Sequence, residues 1–135
     1  MYRTNPEFDL RQRTKRFALE VITLFGKLPA SPETHVIGKQ LLRSGTSVGA
    51  NYREAFRARS SAECIAKLGV CVQEAEETLY WLELLLEANL IKEQQIRSLL
   101  DEVDQLIAIF VSSIKRQKAK IGEDSMVYGI NLDES

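Results

Sequence analysis

The chain has 135 residues, of which 44% are hydrophobic and 27% are charged, a composition typical of one soluble globular domain. Its longest apolar runs are interrupted by glutamates and are shorter than the roughly 20 apolar residues of a membrane span. The first residues lack the apolar segment of a secretory signal. We therefore expect a cytoplasmic protein that has no contact with a membrane.

The net charge of −1 conceals an asymmetry along the chain. Residues 1–67 hold twelve of the 18 Lys and Arg residues but six of the 19 Asp and Glu residues, so the remainder is acidic. Unlike charges on different surfaces favour head-to-tail contacts between copies, and such contacts close into rings if the rotation per subunit allows. The sequence therefore predicts a cyclic homo-oligomer.

Apolar residues recur at steps of three and four in four segments, which predicts four amphipathic helices. The first is expected to begin at Asn5-Pro6 and to end by Pro29, and the second to begin at Ser31-Pro32. Gly45 and Gly49 lie in the second segment and lower its helix propensity by up to about 1 kcal/mol each relative to alanine. This helix therefore needs close packing against a neighbour.

The third helix is expected to begin with a capping box formed by Ser60 and Glu63. Its core-facing seam is predicted at seven positions, which are Ile65, Leu68, Val72, Ala75, Leu79, Leu82 and Leu86. Four further residues widen that face, namely Cys64, Cys71, Thr78 and Leu85. Asn89 is expected in the left-handed conformation that ends the helix. The fourth helix is expected to end near Ile121, before Gly122.

Four helices joined by short loops predict an all-α fold, an antiparallel up-down-up-down bundle. Stripes with a spacing of 3.5 residues favour shallow, left-handed crossing of the helices. We assign the bundle to residues 1–122 and a C-terminal tail to residues 123–135. The tail mixes apolar and acidic residues, and we expect an irregular segment that docks on a groove of its own or a neighbouring bundle.

The sequence indicates no catalytic or metal site. His35 is the single histidine and falls in the first turn of a predicted helix, and Cys64 and Cys71 are two turns apart on one helix. A carboxylate-bridged metal pair is the one enzymatic alternative, with candidate ligands at Glu54, Glu74, Glu77 and Glu83. Such sites in bundles also use histidines from facing helices, and this chain has a single histidine. We therefore expect no enzymatic activity, no metal and no cofactor.

Cationic residues concentrate where the second helix ends and the third begins. The candidate nucleic-acid-binding residues are Arg43, Arg53, Arg57, Arg59 and Lys67. Tyr52 and Phe56 lie among them, and guanidinium groups beside an aromatic ring suit phosphate contact and base stacking. The same arginines could instead meet acidic residues across a subunit interface, and the sequence leaves both interpretations open.

A second cationic region is predicted on helices one and four. It comprises Arg11, Arg13, Lys15 and Arg16 on the first helix, and Lys115, Arg116, Lys118 and Lys120 on the fourth. The ordinary interpretation of such residues is a solvated helix face, and those on the fourth helix also complement the helix dipole.

The segment from Arg43 to Ala55 carries the pattern Arg-Ser-x-x-Ser-Val-x-x-Asn-x-x-Glu-Ala. Together with residues 57–60 and 76–85, it resembles the 23S rRNA intervening-sequence proteins, and the resemblance covers about residues 8–118. It implies a four-helix bundle that assembles into a pentameric ring, encoded within insertions of bacterial large-subunit rRNA genes. A related protein, the accessory variability determinant of diversity-generating retroelements, forms a basic pentameric barrel that binds nucleic acid and a reverse transcriptase.

By position, the resemblance directs attention to six residues, which are Arg43, Asn51, Arg53, Glu54, Arg57 and Arg59. The family assigns a catalytic role to none of them. We place the candidate subunit interface at Asn51, Tyr52, Glu54, Phe56, Glu76 and Glu77. This chain departs from the basic retroelement proteins in its slightly acidic sequence pI of about 5.9.

The leading hypothesis is a non-enzymatic, ring-forming bundle that serves as an RNA or ribonucleoprotein accessory factor, with structured RNA as its partner. The alternative is a protein–protein scaffold that does not bind nucleic acid and uses its charged patches for self-assembly alone. Binding to RNA over a salt series separates the two.

Overall fold

The computed structural model describes residues 6–128, and describes side chains from residue 10 to residue 122. It contains four helices, which are α1 (Pro6–Gly26), α2 (Pro32–Phe56), α3 (Ser61–Glu87) and α4 (Glu93–Tyr128). Within these residues there is no strand, so the predicted all-α fold is confirmed.

The predicted starts of the second and third helices are confirmed. Ser31 and Ser60 are the N-caps of α2 and α3, and their hydroxyls accept hydrogen bonds from the backbone N–H groups of Thr34 and Glu63. The capping box is incomplete, because the Glu63 carboxylate accepts from the backbone N–H of Arg59. Asn89 has a φ of 59°, as expected for the residue that ends α3. Asn5 lies outside the described residues.

Helices that follow one another in the chain pack side by side, and α4 also packs against α1. Over residues 6–128, the two diagonal pairs make no close backbone contact. The direction of neighbouring helices follows from which residues contact each other: in an antiparallel pair, residue numbers rise along one helix as they fall along the other. Ser44 on α2 meets Thr78 on α3. Near the end of α2, Glu54 meets Lys67, which lies near the start of α3. On the other side of the bundle, Arg13 of α1 meets Glu102 of α4, and Glu20, farther along α1, meets Ser98, earlier in α4. Neighbours are therefore antiparallel, as predicted, and the left-handed crossing stays a prediction.

The core runs the length of the bundle and contains a few polar residues whose hydrogen bonds are satisfied. Thr78 is fully buried, and its hydroxyl contacts the Ser44 hydroxyl at 2.9 Å and the Glu74 carbonyl at 2.7 Å. Thr14 is also fully buried and donates to the Leu10 carbonyl at 2.7 Å. Both hydroxyls therefore have hydrogen-bond partners despite their burial. By contrast, the buried Trp81 Nε1 and Arg11 Nε atoms have no partner among the described residues.

The seam of α3 differs from the predicted one. Its buried residues are Leu68, Cys71, Ala75, Thr78, Leu82 and Leu85. The prediction was wrong for Ile65, Val72, Leu79 and Leu86, which are only partly buried, although the last three pack against the core. Both sets repeat every seven residues, so spacing alone did not decide which edge of the stripe faces the centre.

The predicted close packing of α2 is confirmed, and the neighbour that its glycines approach is α1. A Cβ atom at Gly45 would lie 2.9 Å from both Cγ atoms of Val21, and one at Gly49 would lie 3.2 Å from Thr14 Oγ1. Neither residue could carry a side chain without displacing its neighbour. The helix propensity that α2 loses through these glycines is thus offset by its close packing against α1.

The predicted end of the fourth helix was wrong. The helix continues through Gly122 to Tyr128, because a single glycine lowers helix propensity without ending a helix. With 36 residues, α4 is nine residues longer than its antiparallel neighbour α3, a difference of about 13 Å at 1.5 Å per residue. Residues 129–135, the rest of the predicted tail, lie outside the described residues.

Candidate functional site

The antiparallel topology brings distant parts of the chain to one end of the bundle. This end contains the last turns of α2, the first turns of α3, the start of α1 and the last part of α4. The rings of Tyr52 and Phe110 are 5.9 Å apart, which sets α4 residue 110 level with the end of α2. Residues 115–120 of α4 therefore lie at or beyond this end.

Most charged side chains described at this end are cationic, and we call it the basic end. Its nine cationic residues are Arg11, Arg53, Arg57, Arg59, Lys67, Lys115, Arg116, Lys118 and Lys120. Among the side chains described there, the acids are Glu54 and Glu63. The charge asymmetry of the sequence thus becomes a local excess of positive charge, whereas acidic residues are spread along α3 and the first half of α4.

Three of the five candidate nucleic-acid-binding residues lie together. Arg53, Arg57 and Lys67 line a depression of about 350 Å³ between α2 and α3, with Glu54 and Glu63. Lys67 Nζ lies 3.0 Å from Glu54 Oε2. Arg53 and Arg57 are one turn apart and exposed, and within the described part of the chain their guanidinium groups form no ion pair. Of the three cationic residues that line the depression, Arg53 and Arg57 are therefore the two that remain available to bind a ligand.

Arg59 lies beside this group and Arg43 does not. Arg59 is exposed in the α2–α3 turn. Arg43 lies ten residues before Arg53 on α2, about 15 Å away along the helix axis. It pairs with Glu77 and, at 3.3 Å, with Glu74. Burial opposes its charge, but the hydrogen bonds and negative charges of these glutamates raise the pKa of Arg43 above its ordinary value. Arg43 therefore fastens α2 to α3.

The candidate interface residues have different environments. The Asn51 amide donates to the Ser47 carbonyl at 2.9 Å within α2, and Tyr52 is 5% exposed inside the bundle. Phe56 is 44% exposed, and Glu76 is exposed on α3. The remaining two, Glu54 and Glu77, are the partners of Lys67 and Arg43. Glu54 is also exposed, so Phe56 and Glu76 are the exposed members that form no ion pair among the described residues.

A column of aromatic rings connects the core to the basic end, a feature that the sequence did not predict. Phe110 is fully buried, Tyr52 packs against it, and the Phe56 ring lies 6.4 Å from Tyr52, centre to centre. The Arg11 guanidinium covers the Phe56 ring at 4.1 Å from its centre. These residues come from three helices, so no local pattern predicts their meeting.

The cysteine and histidine residues have ordinary surroundings. Burial raises the pKa of the Cys71 thiol to about 12, and its Sγ lies 3.8 Å from the Val48 carbonyl oxygen, to which it donates. The thiol is therefore protonated at neutral pH and is a poor nucleophile. His35 is exposed in the first turn of α2. The described residues contain no group of three or more side chains suited to hold a metal ion.

None of the four helices, over the residues described, combines the length and apolar character needed to cross a membrane.

The fold and this end together define a class: an antiparallel four-helix bundle with a cationic end and an aromatic residue exposed beside it. The family model described as 23S rRNA-intervening sequence protein matches residues 6–112. The chain therefore belongs to the 23S rRNA-intervening sequence protein family, which confirms the resemblance of its motif from Arg43 to Ala55.

A solved structure supports this assignment. The crystal structure of a protein of unknown function from the S23 ribosomal protein family of Bacteroides thetaiotaomicron is similar, with a TM-score of 0.75 and 38% sequence identity. The similarity covers 81% of this chain and 97% of that one. A comparison with curated proteins finds no match.

Proposed function

We propose that this protein is a non-enzymatic, ring-forming bundle of the cytoplasm that binds structured RNA and acts as an RNA or ribonucleoprotein accessory factor. One observation carries the proposal. Arg53 and Arg57 extend from the basic end without acidic partners in the described chain, beside seven further cationic residues. A surface of this kind suits the phosphate backbone of a nucleic acid.

The slightly acidic composition is compatible with RNA binding. A phosphate responds to the potential at the surface it approaches, and at 0.15 M salt charges more than about 8 Å away are largely screened. The acids of α3 and α4 lie mostly along the bundle and toward its other end, so they weaken the basic end little. The names of the family and of the similar structure, which refer to rRNA and to a ribosomal protein, also suit an RNA partner.

Binding to an rRNA fragment over a salt series tests the proposal. Arg53→Ala combined with Arg57→Ala should lower affinity for a labelled 23S rRNA hairpin at least tenfold. It should also reduce the slope of log affinity against log salt by about 2, because each lost phosphate contact reduces that slope by about 1. Fluorescence anisotropy measures both quantities.

The chain offers a matched control for charge. Lys39→Ala combined with Lys92→Ala removes the same number of positive charges from exposed residues near the other end of the bundle. This variant should bind the hairpin with nearly the wild-type affinity and salt slope. Equal losses in the two double variants would contradict a site at the basic end and would indicate a response to net charge alone.

The ring is a second part of the proposal. We take five subunits as its size, from the family resemblance, and unlike charges at different surfaces as one source of attraction between neighbours. Light scattering coupled to size-exclusion chromatography should then give a mass five times the 15.3 kDa of one chain. A monomer at micromolar concentration would remove this part of the proposal.

The scaffold without RNA remains the alternative function. It is favoured by Lys67 and Arg43, which already have acidic partners and so show that basic and acidic residues of this protein do pair. Under this alternative, the variant lacking Arg53 and Arg57 has a lower assembled mass, and the wild type does not bind RNA in a salt-dependent way.

A further inference from the structure

The exposed aromatic residue at the basic end is held in a fixed position. Phe56 lies in the last turn of α2, and its ring packs on Tyr52, which packs on the fully buried Phe110. Because the packing against Tyr52 restricts its motion, the Phe56 ring loses little conformational entropy when a ligand covers it. Its 44% exposure is large for a phenylalanine and leaves ring surface open to solvent.

Cationic groups surround this ring on two sides. Arg11 of α1 lies over it with its guanidinium 4.1 Å from the ring centre. Arg53 lies three residues before Phe56 on α2, so the two side chains are neighbours on the helix surface. The open ring surface is therefore adjacent to an arginine that has no acidic partner among the described residues and faces the depression shared with Arg57.

We propose that Phe56 and Arg11 form a stacking platform for an unpaired RNA base, while Arg53 and Arg57 hold the phosphates next to it. This inference rests on the proposed function and specifies its ligand as unpaired rather than fully duplex RNA. A base in a duplex has both faces covered by its neighbours, whereas a base in a loop or single strand can stack on an aromatic ring and on a guanidinium plane.

A single-stranded RNA of twelve nucleotides and the same strand annealed to its complement are the two probes. The wild type should bind the single strand at least fivefold more tightly than the duplex at 0.15 M salt. Phe56→Leu keeps an apolar side chain but loses the ring, and it should weaken binding to the single strand by about five- to 100-fold. Its salt slope should stay unchanged, because no phosphate contact is lost.

Two controls separate stacking from a general effect on the fold. Phe56→Tyr restores the ring and should return affinity to within about twofold of the wild type. Tyr80→Leu removes an aromatic ring that is 54% exposed on α3, away from the basic end, and should leave affinity unchanged. A 2-aminopurine base in the single strand should be quenched on binding by the wild type, and quenched less by Phe56→Leu.

The outcomes distinguish this inference from the proposed function. Binding that depends on Arg53 and Arg57 but is equal for Phe56→Leu and the wild type, or equal for the two probes, overturns the platform and leaves the RNA-binding proposal standing. A lower assembled mass of Phe56→Leu with unchanged RNA affinity overturns the platform and indicates that the ring packs on another protein surface. No RNA binding by the wild type overturns both.

Discussion

At the scale of single residues, the same residue type has opposite effects in two helices of this bundle. Gly45 lies where α2 meets α1, and a Cβ atom there would lie 2.9 Å from the branched side chain of Val21. Gly69 on α3 has no side chain or neighbouring helix within 4 Å of its Cβ position. The backbone entropy cost of glycine is similar at both sites, so the difference between them is due to packing.

Replacing each of these glycines by alanine should therefore change stability in opposite directions. Gly45→Ala should lower the free energy of unfolding by about 1–2 kcal/mol, because overpacking against a stiff Val21 exceeds the gain in helix propensity. Gly69→Ala should raise it by about 0.5–1 kcal/mol. Urea denaturation followed by circular dichroism measures both. A stabilised Gly45→Ala protein would mean that α1 and α2 are farther apart than described.

At the scale of helices, the contact between α1 and α4 is the sparsest of the four neighbouring pairs. A groove of about 400 Å³ runs along it, lined by Leu19, Leu24 and Leu99 among others. Arg13 bridges the two helices beside this groove, donating from Nε and Nη2 to both carboxylate oxygens of Glu102 at 3.1 and 2.6 Å. A two-point, partly buried contact of this kind is stronger than an exposed ion pair.

Glu102→Gln should consequently lower the free energy of unfolding by about 1–2 kcal/mol, because the two-point contact between Arg13 and Glu102 loses its charge at a partly buried site. Glu93→Gln is the matched control. It breaks the pair of Glu93 with Arg97 within one helix, where both side chains are more than half exposed. This control should change stability by less than about 0.5 kcal/mol. If both variants behave alike in urea denaturation, the Arg13–Glu102 contact does not fasten α1 to α4.

At the scale of the whole molecule, the core ends before α4 does. Among the described side chains of α4, Ser113 is the last buried one, while the helix continues to Tyr128. The family model also ends at residue 112. The last part of α4 is therefore a helical extension whose described side chains include four lysine and arginine residues, between positions 115 and 120.

A chain shortened to end at Gly122 should fold with a free energy of unfolding within about 1 kcal/mol of the full chain, since no buried side chain described here is removed. A chain ending at Ile109 also loses Phe110, which is fully buried, and should be destabilised by more than about 3 kcal/mol. Thermal unfolding measures both. A large loss for the chain ending at Gly122 would show that residues 123–135 belong to the bundle, against the boundary that the sequence predicts.

Local patterns accounted for most of the fold. Ser31, Ser60 and Asn89 begin or end helices through hydrogen bonds and backbone conformations that involve a few adjacent residues, so the sequence predicts them directly. The end of α4 was missed because Gly122 has little influence on a helix that has already formed on both sides of it. The buried seam of α3 was misplaced because two apolar stripes on this helix share the same seven-residue spacing. The spacing does not show which of the two faces the core.

The sequence by itself determined four amphipathic helices, their antiparallel order, the need of α2 for close packing and the excess of positive charge where α2 ends. Only the tertiary structure decided which cations are available. Arg43 forms ion pairs with Glu74 and Glu77, whereas Arg53 has no acidic partner in the described chain. It also placed Arg11 over Phe56. The physical reason is that helix spacing is a property of adjacent residues, whereas pairing of side chains depends on the register between helices far apart in the chain.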